Sequence, residues 1–195
     1  MRALITEKLS GLPVATCTKT GDGLREAAVL LPLFERARGI TLLLEQRTQH
    51  LHHHPGQISL PGGIVEASDR GPIATALRET EEEIGIPSDR VQVVGEMEAI
   101  DTRTGFRVTP VVGFVAPEVE FTLDRFEVEH VLEVPLDFLL SARNYQRRSR
   151  YFEGYGEASF YELDYEGQII WGATAQILVN FARHLGVVGI PDGPK

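Results

Sequence analysis

Glu79, Glu82 and Glu83 stand three and four residues apart in the run Arg78-Glu79-Thr80-Glu81-Glu82-Glu83, a short distance behind the turn Pro61-Gly62-Gly63. Side chains at i, i+3 and i+4 of a helix share a face, so the three acids crowd together there. Like charges at that spacing repel by roughly 0.2–0.5 kcal/mol per exposed pair. Helix stability supplies no reason for the crowding, whereas a bound hard cation does. A bare run of acids also suits a solvated helix face. The i, i+3, i+4 spacing and a Gly-Gly turn upstream, where backbone carbonyls can be exposed, point instead to a divalent metal and phosphate chemistry.

The elements that must position these acids can be read around them. The periodicity predicts a helix over Pro72–Ile84, with Ile73, Leu77, Thr80 and Ile84 as its mostly apolar stripe and Glu81 off the acidic face. Pro72 suits the first helical position, Gly71 or Asp69 the cap, and Gly85 followed by Pro87 the stop. Strand-like runs recur at Ala27–Phe34, Ile40–Leu44, Val91–Ile100, Val108–Val115, Ser159–Tyr165 and Gln168–Trp171. The first two are joined by a hairpin-length connection, Glu35–Gly39. Further helices are expected at Leu136–Ala142, at Ala173–Leu185 with Ile177, Leu178, Phe181 and Leu185 inward, and within residues 1–12. No repeat or low-complexity linker interrupts them. Strands mixed with few helices imply an α/β protein, a mixed sheet covered by helices on both faces.

Composition narrows the classes. With 195 residues, 43% of them hydrophobic, one domain with a full core is expected. A net charge of −9 argues against nucleic acid as a partner, because backbone binding needs a basic footprint. An anionic substrate must then be drawn in locally, by bound cations and nearby Arg or Lys. Cys17 is the sole cysteine, so no intramolecular disulfide forms. No apolar run approaches 18 residues and no signal-peptide core is visible, so the expectation is a soluble cytoplasmic protein with no membrane partner.

Arg78-Glu79-Thr80-Glu81-Glu82-Glu83-Ile84-Gly85-Ile86 resembles the second half of the Nudix hydrolase signature, Arg-Glu-Φ-x-Glu-Glu-x-Gly-Φ with Φ apolar, with only Thr80 off pattern. The first half departs. Five residues lead from Gly63 to Asp69 in place of Glu, and eight, not seven, separate it from Arg78. That insertion is similar to one branch, the coenzyme A pyrophosphatases. Leu43-Leu44-Glu45-Gln46-Arg47-Thr48 and His54–Gly63 resemble the branch's upstream motif, and Gly105–Gly113 and Ile170–Ala175 its later ones. Glu45 stands where Thr is usual, His52 where Arg is usual and Leu60 where Phe is usual. The resemblance spans roughly residues 25–185, leaving 1–24 as an N-terminal extension.

The resemblance implies a Nudix α/β/α sandwich and metal-dependent hydrolysis of the pyrophosphate linkage of coenzyme A or its derivatives, giving 3′,5′-ADP and 4′-phosphopantetheine. It implies Mg²⁺ or Mn²⁺, with Glu79 and Glu83 as direct ligands, Glu82 assisting, the Gly63 carbonyl in the inner shell, and one further Glu from Glu127 or Glu129. Arg78 would fix a helix carboxylate by a bidentate pair. The proton of the attacking water would go to Glu82 or to the loop acid Glu66. Asp69 either pairs with Arg78 or holds a second metal through water. Arg47, Arg103 and Arg107 either meet substrate phosphates or lie solvated at the surface. Gly62 and His52 join them on the substrate side, and loss of the usual arginine charge at His52 bears on phosphate binding.

His50, His52, His53 and His54 do not have the spacing of structural zinc, which needs four convergent N or S ligands, and read as a loop near the substrate. Trp171 and Phe181 read as core rather than as base-stacking rings. Two alternatives to the coenzyme A reading stand: a Nudix pyrophosphatase for another nucleoside diphosphate compound such as ADP-ribose or a dinucleotide, and a catalytically silent Nudix fold that binds a nucleotide. A homodimer is possible by family likeness.

Overall fold

Two long apolar runs meet at the centre of the molecule, a computed structural model that describes residues 1–10, 23–51, 54–152 and 156–192. In chain order the elements are helix α1 (Arg2–Ser10), strands β1 (Arg25–Arg36), β2 (Gly39–Arg47), β3 (Ile58–Ser59) and β4 (Gly62–Ile64), helix α2 (Pro72–Ile84), strands β5 (Val91–Glu96), β6 (Ile100–Asp101), β7 (Phe106–Val115) and β8 (Val128–Pro135), helix α3 (Leu136–Leu139), strands β9 (Gln146–Phe152), β10 (Gly156–Tyr165) and β11 (Gln168–Trp171), and helix α4 (Gly172–His184). Cys17 and the end of the expected N-terminal helix lie outside the described residues.

β1 and β7 pair in parallel over their length, from Arg25↔Phe106 to Phe34↔Val115. Their near-continuous apolar sequences follow from burial on both faces, which is where parallel pairs sit. Alternation along β1 sends Ala28, Leu30 and Phe34 to one core, shared with Ala76 and Ile84 of α2. Ala27, Leu31 and Leu33 face the other core, shared with Ile5 and Leu9 of α1 and with Ile177, Leu178 and Phe181 of α4. The mixed eight-stranded sheet is thus covered by helices on both faces, an α/β/α sandwich. A separate antiparallel sheet, β11-β10-β9, packs with α4 on the second side.

The β1–β2 hairpin opens like a fork. Only Leu33–Arg36 pair with Gly39–Leu42, and beyond that point β4 takes the freed edge of β1 while β3 takes the freed edge of β2. β8 borders β2 on its far side. The chain emerging from β4 reaches α2 through the loop 65–71, so the fork and the helix start are neighbours by connectivity.

Several elements differ from expectation. The run Val91–Ile100 breaks into β5 and β6, with a register irregularity between Val93 and Gly95. The helix expected over Leu136–Ala142 closes after Leu139 and resumes only as a 3₁₀ turn at Ala142–Asn144. β8 and β9 were not expected, and β3 and β4 are too short to show a period.

On α2 the expected stripe packs against the core and is widened by Thr75, Ala76 and Glu83. Thr75, Ala76, Thr80, Glu83 and Ile84 are buried, while Ile73 and Leu77 are only partly so. Thr80, the off-pattern residue, is tolerated in the core because its hydroxyl donates to the Ala76 carbonyl at 2.6 Å. Gly85 ends the helix in the left-handed conformation at φ 73°. The following segment then bonds back, Thr122 N–H to the Ile84 carbonyl (3.1 Å) and Asp124 N–H to that of Glu83 (2.9 Å). A Cβ at Gly85 would lie 2.8 Å from Thr122 atoms, backbone included. Gly85→Ala is expected to destabilise the fold by roughly 1–3 kcal/mol, read as a lower urea midpoint with unchanged slope.

Candidate active site

Period two along β2 carries the fork's chemistry onto the α2 side. Leu43 lies in the core beneath α2, and Glu45 and Arg47 continue on that same face toward the open end. α2 comes down over them with Glu83. Glu45 is fully buried and Glu83 nearly so, while Glu79 is partly buried and the Glu82 side chain 59% exposed. The three helix acids therefore form not one evenly exposed face but a gradient from core to solvent.

The Gly62-Gly63 turn meets this gradient at backbone level. Gly62, at φ 152°, donates its N–H to Glu83 Oε2 at 2.8 Å. A Cβ on Gly63 would run into the Glu79 carboxylate. Gly63 is thus demanded by the close approach of a helix acid, and Gly62 by its positive φ and by β1, where a Cβ would meet the Ala28 carbonyl and Val29.

Two arginines lie among the carboxylates. Arg78 forms a fork–fork pair with Asp69, Nε to Oδ1 at 3.1 Å and Nη2 to Oδ2 at 3.0 Å, and its other nitrogen reaches Glu79 and Glu82, each at 3.0 Å. Asp69 is itself fixed by the Thr75 hydroxyl (2.8 Å) and the Glu66 N–H (2.9 Å). Arg47 lies 3.4 Å from Glu83, 3.4 Å from Glu127 and 3.6 Å from Glu45.

The structure separates candidates that sequence left open. Glu127 reaches the cluster through Arg47. The Glu129 side chain is exposed, and its backbone carbonyl accepts from Arg125 at 2.9 Å. The Glu66 carboxylate is exposed on the loop before α2. Arg107 is held by Asp101 at 2.7 and 2.8 Å across the β6–β7 ladder. Arg103 lies exposed at a different place, a cavity of about 450 Å³ also walled by His54, Gln57, Phe160, Trp171 and Gln176. Its lining is mainly apolar. The Gln57 carbonyl accepts the Arg47 N–H at 2.9 Å, so one backbone rung joins cavity wall to acid cluster. Trp171, expected in the core, stands at this wall with only part of its surface covered, whereas Phe181 is core as expected. His52 and His53 lie outside the described residues; the His50 ring lies tilted against Phe126 and His54 bonds Gln57.

Sequence reasoning passed over Glu45 as a site residue. Its Oε1 accepts from Ser59 at 3.1 Å, and Oε2 is buried with no hydrogen-bond partner among the described residues. The signal was available: Glu45 and Arg47 continue the alternation of an otherwise apolar strand.

Burial is the largest influence on the innermost acids. It pushes Glu83 and Glu45 up from the usual carboxylate range, and the repulsion of Glu83 by Glu45 adds to it, against the Gly62 N–H and Arg47. Glu79 is raised by burial against the pull of Arg78. Asp69 moves the other way, held well below the usual range by its Arg78 hydrogen bonds.

No three His, Cys, Asp or Glu side chains among the described residues converge as a ready-made metal cage; guanidinium groups are interposed between the acids. The donor set nevertheless fits a hard divalent cation. It consists of carboxylate oxygens, one of them buried and without a partner, beside a glycine backbone that leaves no room for a side chain.

The NUDIX domain pattern matches residues 24–153, and the chain belongs to the Nudix family of hydrolases. Over 163 residues it is 42% identical to a protein of Citrobacter koseri named uncharacterized Nudix hydrolase NudL, covering 84% of each chain. A NudL protein of Salmonella paratyphi B is 41% identical over the same length and coverage. In fold the chain is similar to a C. elegans Ap4A hydrolase (TM-score 0.50, 20% identity, 57% of this chain and 80% of that one). It is likewise similar to the Nudix hydrolase RenU of M. smegmatis (TM-score 0.50, 24% identity, 60% and 73%). No helix among the described residues is long and apolar enough to cross a membrane.

The raised acids set the sign of the pH response without metal. A carboxylate whose folded pKa exceeds its ordinary value of 4.5 stabilises the fold fully below that value, and the contribution is lost as pH rises through the raised one. The metal-free protein is therefore expected to lose thermal stability as pH rises from about 5 to about 9, with Glu83→Gln flattening the slope. Melting temperature across that range, in the presence of a chelator, checks it.

Proposed function

We propose that the chain hydrolyses the pyrophosphate linkage of coenzyme A or its derivatives, giving 3′,5′-ADP and 4′-phosphopantetheine. The observation that carries the chemistry is the meeting of Glu79 and Glu83 with the Gly62-Gly63 backbone at the open fork, with Glu82 joined to Glu79 through Arg78. The substrate reading is supported by the upstream motif on β2 and by the one-residue insertion, which the fold accommodates by giving Asp69 to Arg78.

Glu79 and Glu83 would hold Mg²⁺ or Mn²⁺ with Glu82, Glu127 and the Gly63 carbonyl. A divalent cation so held neutralises charge on the phosphoryl oxygens and lowers the pKa of a water. The residues supply the rest. Arg78 orients Glu79 and Glu82 from a guanidinium anchored on Asp69. Gly62 N–H fixes the Glu83 carboxylate. Glu82, the most exposed of the three, takes the proton as the water oxygen bonds to phosphorus and the bridging P–O bond breaks. Arg47 would meet the phosphates once the acids it pairs with are engaged elsewhere. The cavity at Trp171 and Arg103 would take an organic arm of the substrate, its size and apolar lining suiting such a group.

Purified protein with Mg²⁺ or Mn²⁺ is expected to release 3′,5′-ADP from coenzyme A, detected by mass. Glu83→Gln should lower turnover by orders of magnitude and Glu81→Gln leave it nearly intact, because Glu81 instead accepts from the Ser88 N–H at 3.2 Å. Turnover of ADP-ribose or a dinucleotide but not coenzyme A would keep the chemistry and replace the substrate. Tight nucleotide binding with no turnover would leave a silent binding fold. Trp171→Ala should raise KM for coenzyme A with kcat little changed, measured by initial rates across substrate concentration.

A further inference from the structure

A fully buried carboxylate with one oxygen unbonded is costly unless something is meant to meet it. Glu45 is such a group. Its Cα pairs with Ser59 on β3 and with Val131 on β8, so strands flank it on both edges. Its Oε1 accepts from Ser59 and lies 3.6 Å from Arg47 Nη1, the same nitrogen that lies 3.4 Å from Glu83 Oε1. Glu45 and Glu83 are thus neighbours across one guanidinium nitrogen, one contributed by the sheet and one by the helix. Oε2 has no hydrogen-bond partner among the described residues.

An isolated ion pair with Arg47 would not need this arrangement. Arg47 is shared with Glu83 and Glu127, so a single positive charge faces three carboxylates, two of them buried. Buried carboxylates stay ionised only when they are paired or coordinate metal, and one guanidinium cannot pair three of them, which leaves room for a cation.

We propose that Glu45 supplies, through Oε2, a sheet-borne carboxylate ligand to the divalent cation that Glu83 and Glu79 hold from the helix. The inference rests on the metal reading above and adds a ligand to it. It makes the site two-sided, gripped from β2 as well as from α2, with Arg47 as the counter-ion of the metal-free protein.

The test is titration of the full chain, without nucleotide, with Mn²⁺ alone by calorimetry, beside melting temperature with and without Mn²⁺. Glu45→Gln keeps the side chain's shape and is expected to weaken Mn²⁺ binding tenfold or more, by analogy with loss of other metal-site partners. Its metal-free melting temperature should hold or rise, since an unpaired buried acid is removed; a merely structural ion pair with Arg47 would give a fall. Glu45→Thr, the second variant, should show the same loss of Mn²⁺ affinity. Retention of wild-type affinity in both, alongside loss in Glu83→Gln, overturns the role of Glu45 and leaves the helix site standing. Absence of Mn²⁺ binding by the wild-type protein overturns the metal reading itself and this ligand with it. Loss of the fold in both Glu45 variants makes the residue a structural anchor and equally overturns the proposal.

Discussion

The hydrogen bond from the Gly62 N–H to the buried Glu83 carboxylate, 2.8 Å long, is the contact on which the rest of the arrangement depends. It ties the open edge of the sheet to the last turn of α2, and it does so by giving a carboxylate that has lost its water a backbone donor instead. When Glu83 is ionised the bond is charge-assisted, among the stronger ones available to a protein. The hairpin must open for the bond to exist. If β1 and β2 stayed paired along their whole length, β4 would have no free edge on which to place Gly62. The fork, the glycine and the helix register are one requirement seen at three levels.

Around that contact the two arginines divide the work. Arg78 faces outward along α2 and is locked by Asp69, which Thr75 and the Glu66 amide hold in turn, so its guanidinium is a rigid platform for Glu79 and Glu82. Arg47 faces the inner acids at longer range, 3.4 to 3.6 Å, and is shared among three of them. A short bidentate pair is not easily exchanged, whereas a long, shared contact can be. The geometry therefore assigns Arg78 to architecture and leaves Arg47 the one whose contacts can be rearranged when charge arrives. That division also explains how Asp69 fits one residue out of the usual spacing: it is a partner for the arginine.

Much of this was legible in the amino-acid order, and the part that was not has identifiable physical causes. α2 could be read to the residue because Pro72, Gly85 and a 3.6 period each act locally. The acidic spacing named the chemistry for the same reason. β9, Gln146–Phe152, carries Arg147, Arg148 and Arg150 and shows no apolar alternation; it is held by its pairing with β10, a non-local fact. β3 and β4 are two and three residues long, and exist only because the fork leaves edges to fill. Periodicity locates an apolar stripe but not the neighbour it meets: Thr80 is inside as expected, bonded to the Ala76 carbonyl, but Glu83 of the acidic face also goes inside, held by the Gly62 amide. Trp171 was assigned to the core on its chemistry, but β11 ends there and α4 begins, so it stands at the wall of a cavity.

Local rules and global fold disagree most at Glu45. A strand that reads Leu42-Leu43-Leu44 should continue with an apolar side chain on the α2 face, and it presents a carboxylate with an unbonded oxygen. Such disagreements are expected where function is supported at a cost in stability. Glu83, the buried acid beside it, has at least a backbone donor; Glu45 has only a hydroxyl on one oxygen. Both lie on the α2 side of the sheet beside the turn that brings Gly62 and Gly63 in, while the opposite side is filled by the apolar residues of α1 and α4. The sheet thus separates a face that carries stability from a face that gives some of it up, and the strained chemistry is confined to the one place where the hairpin has already opened.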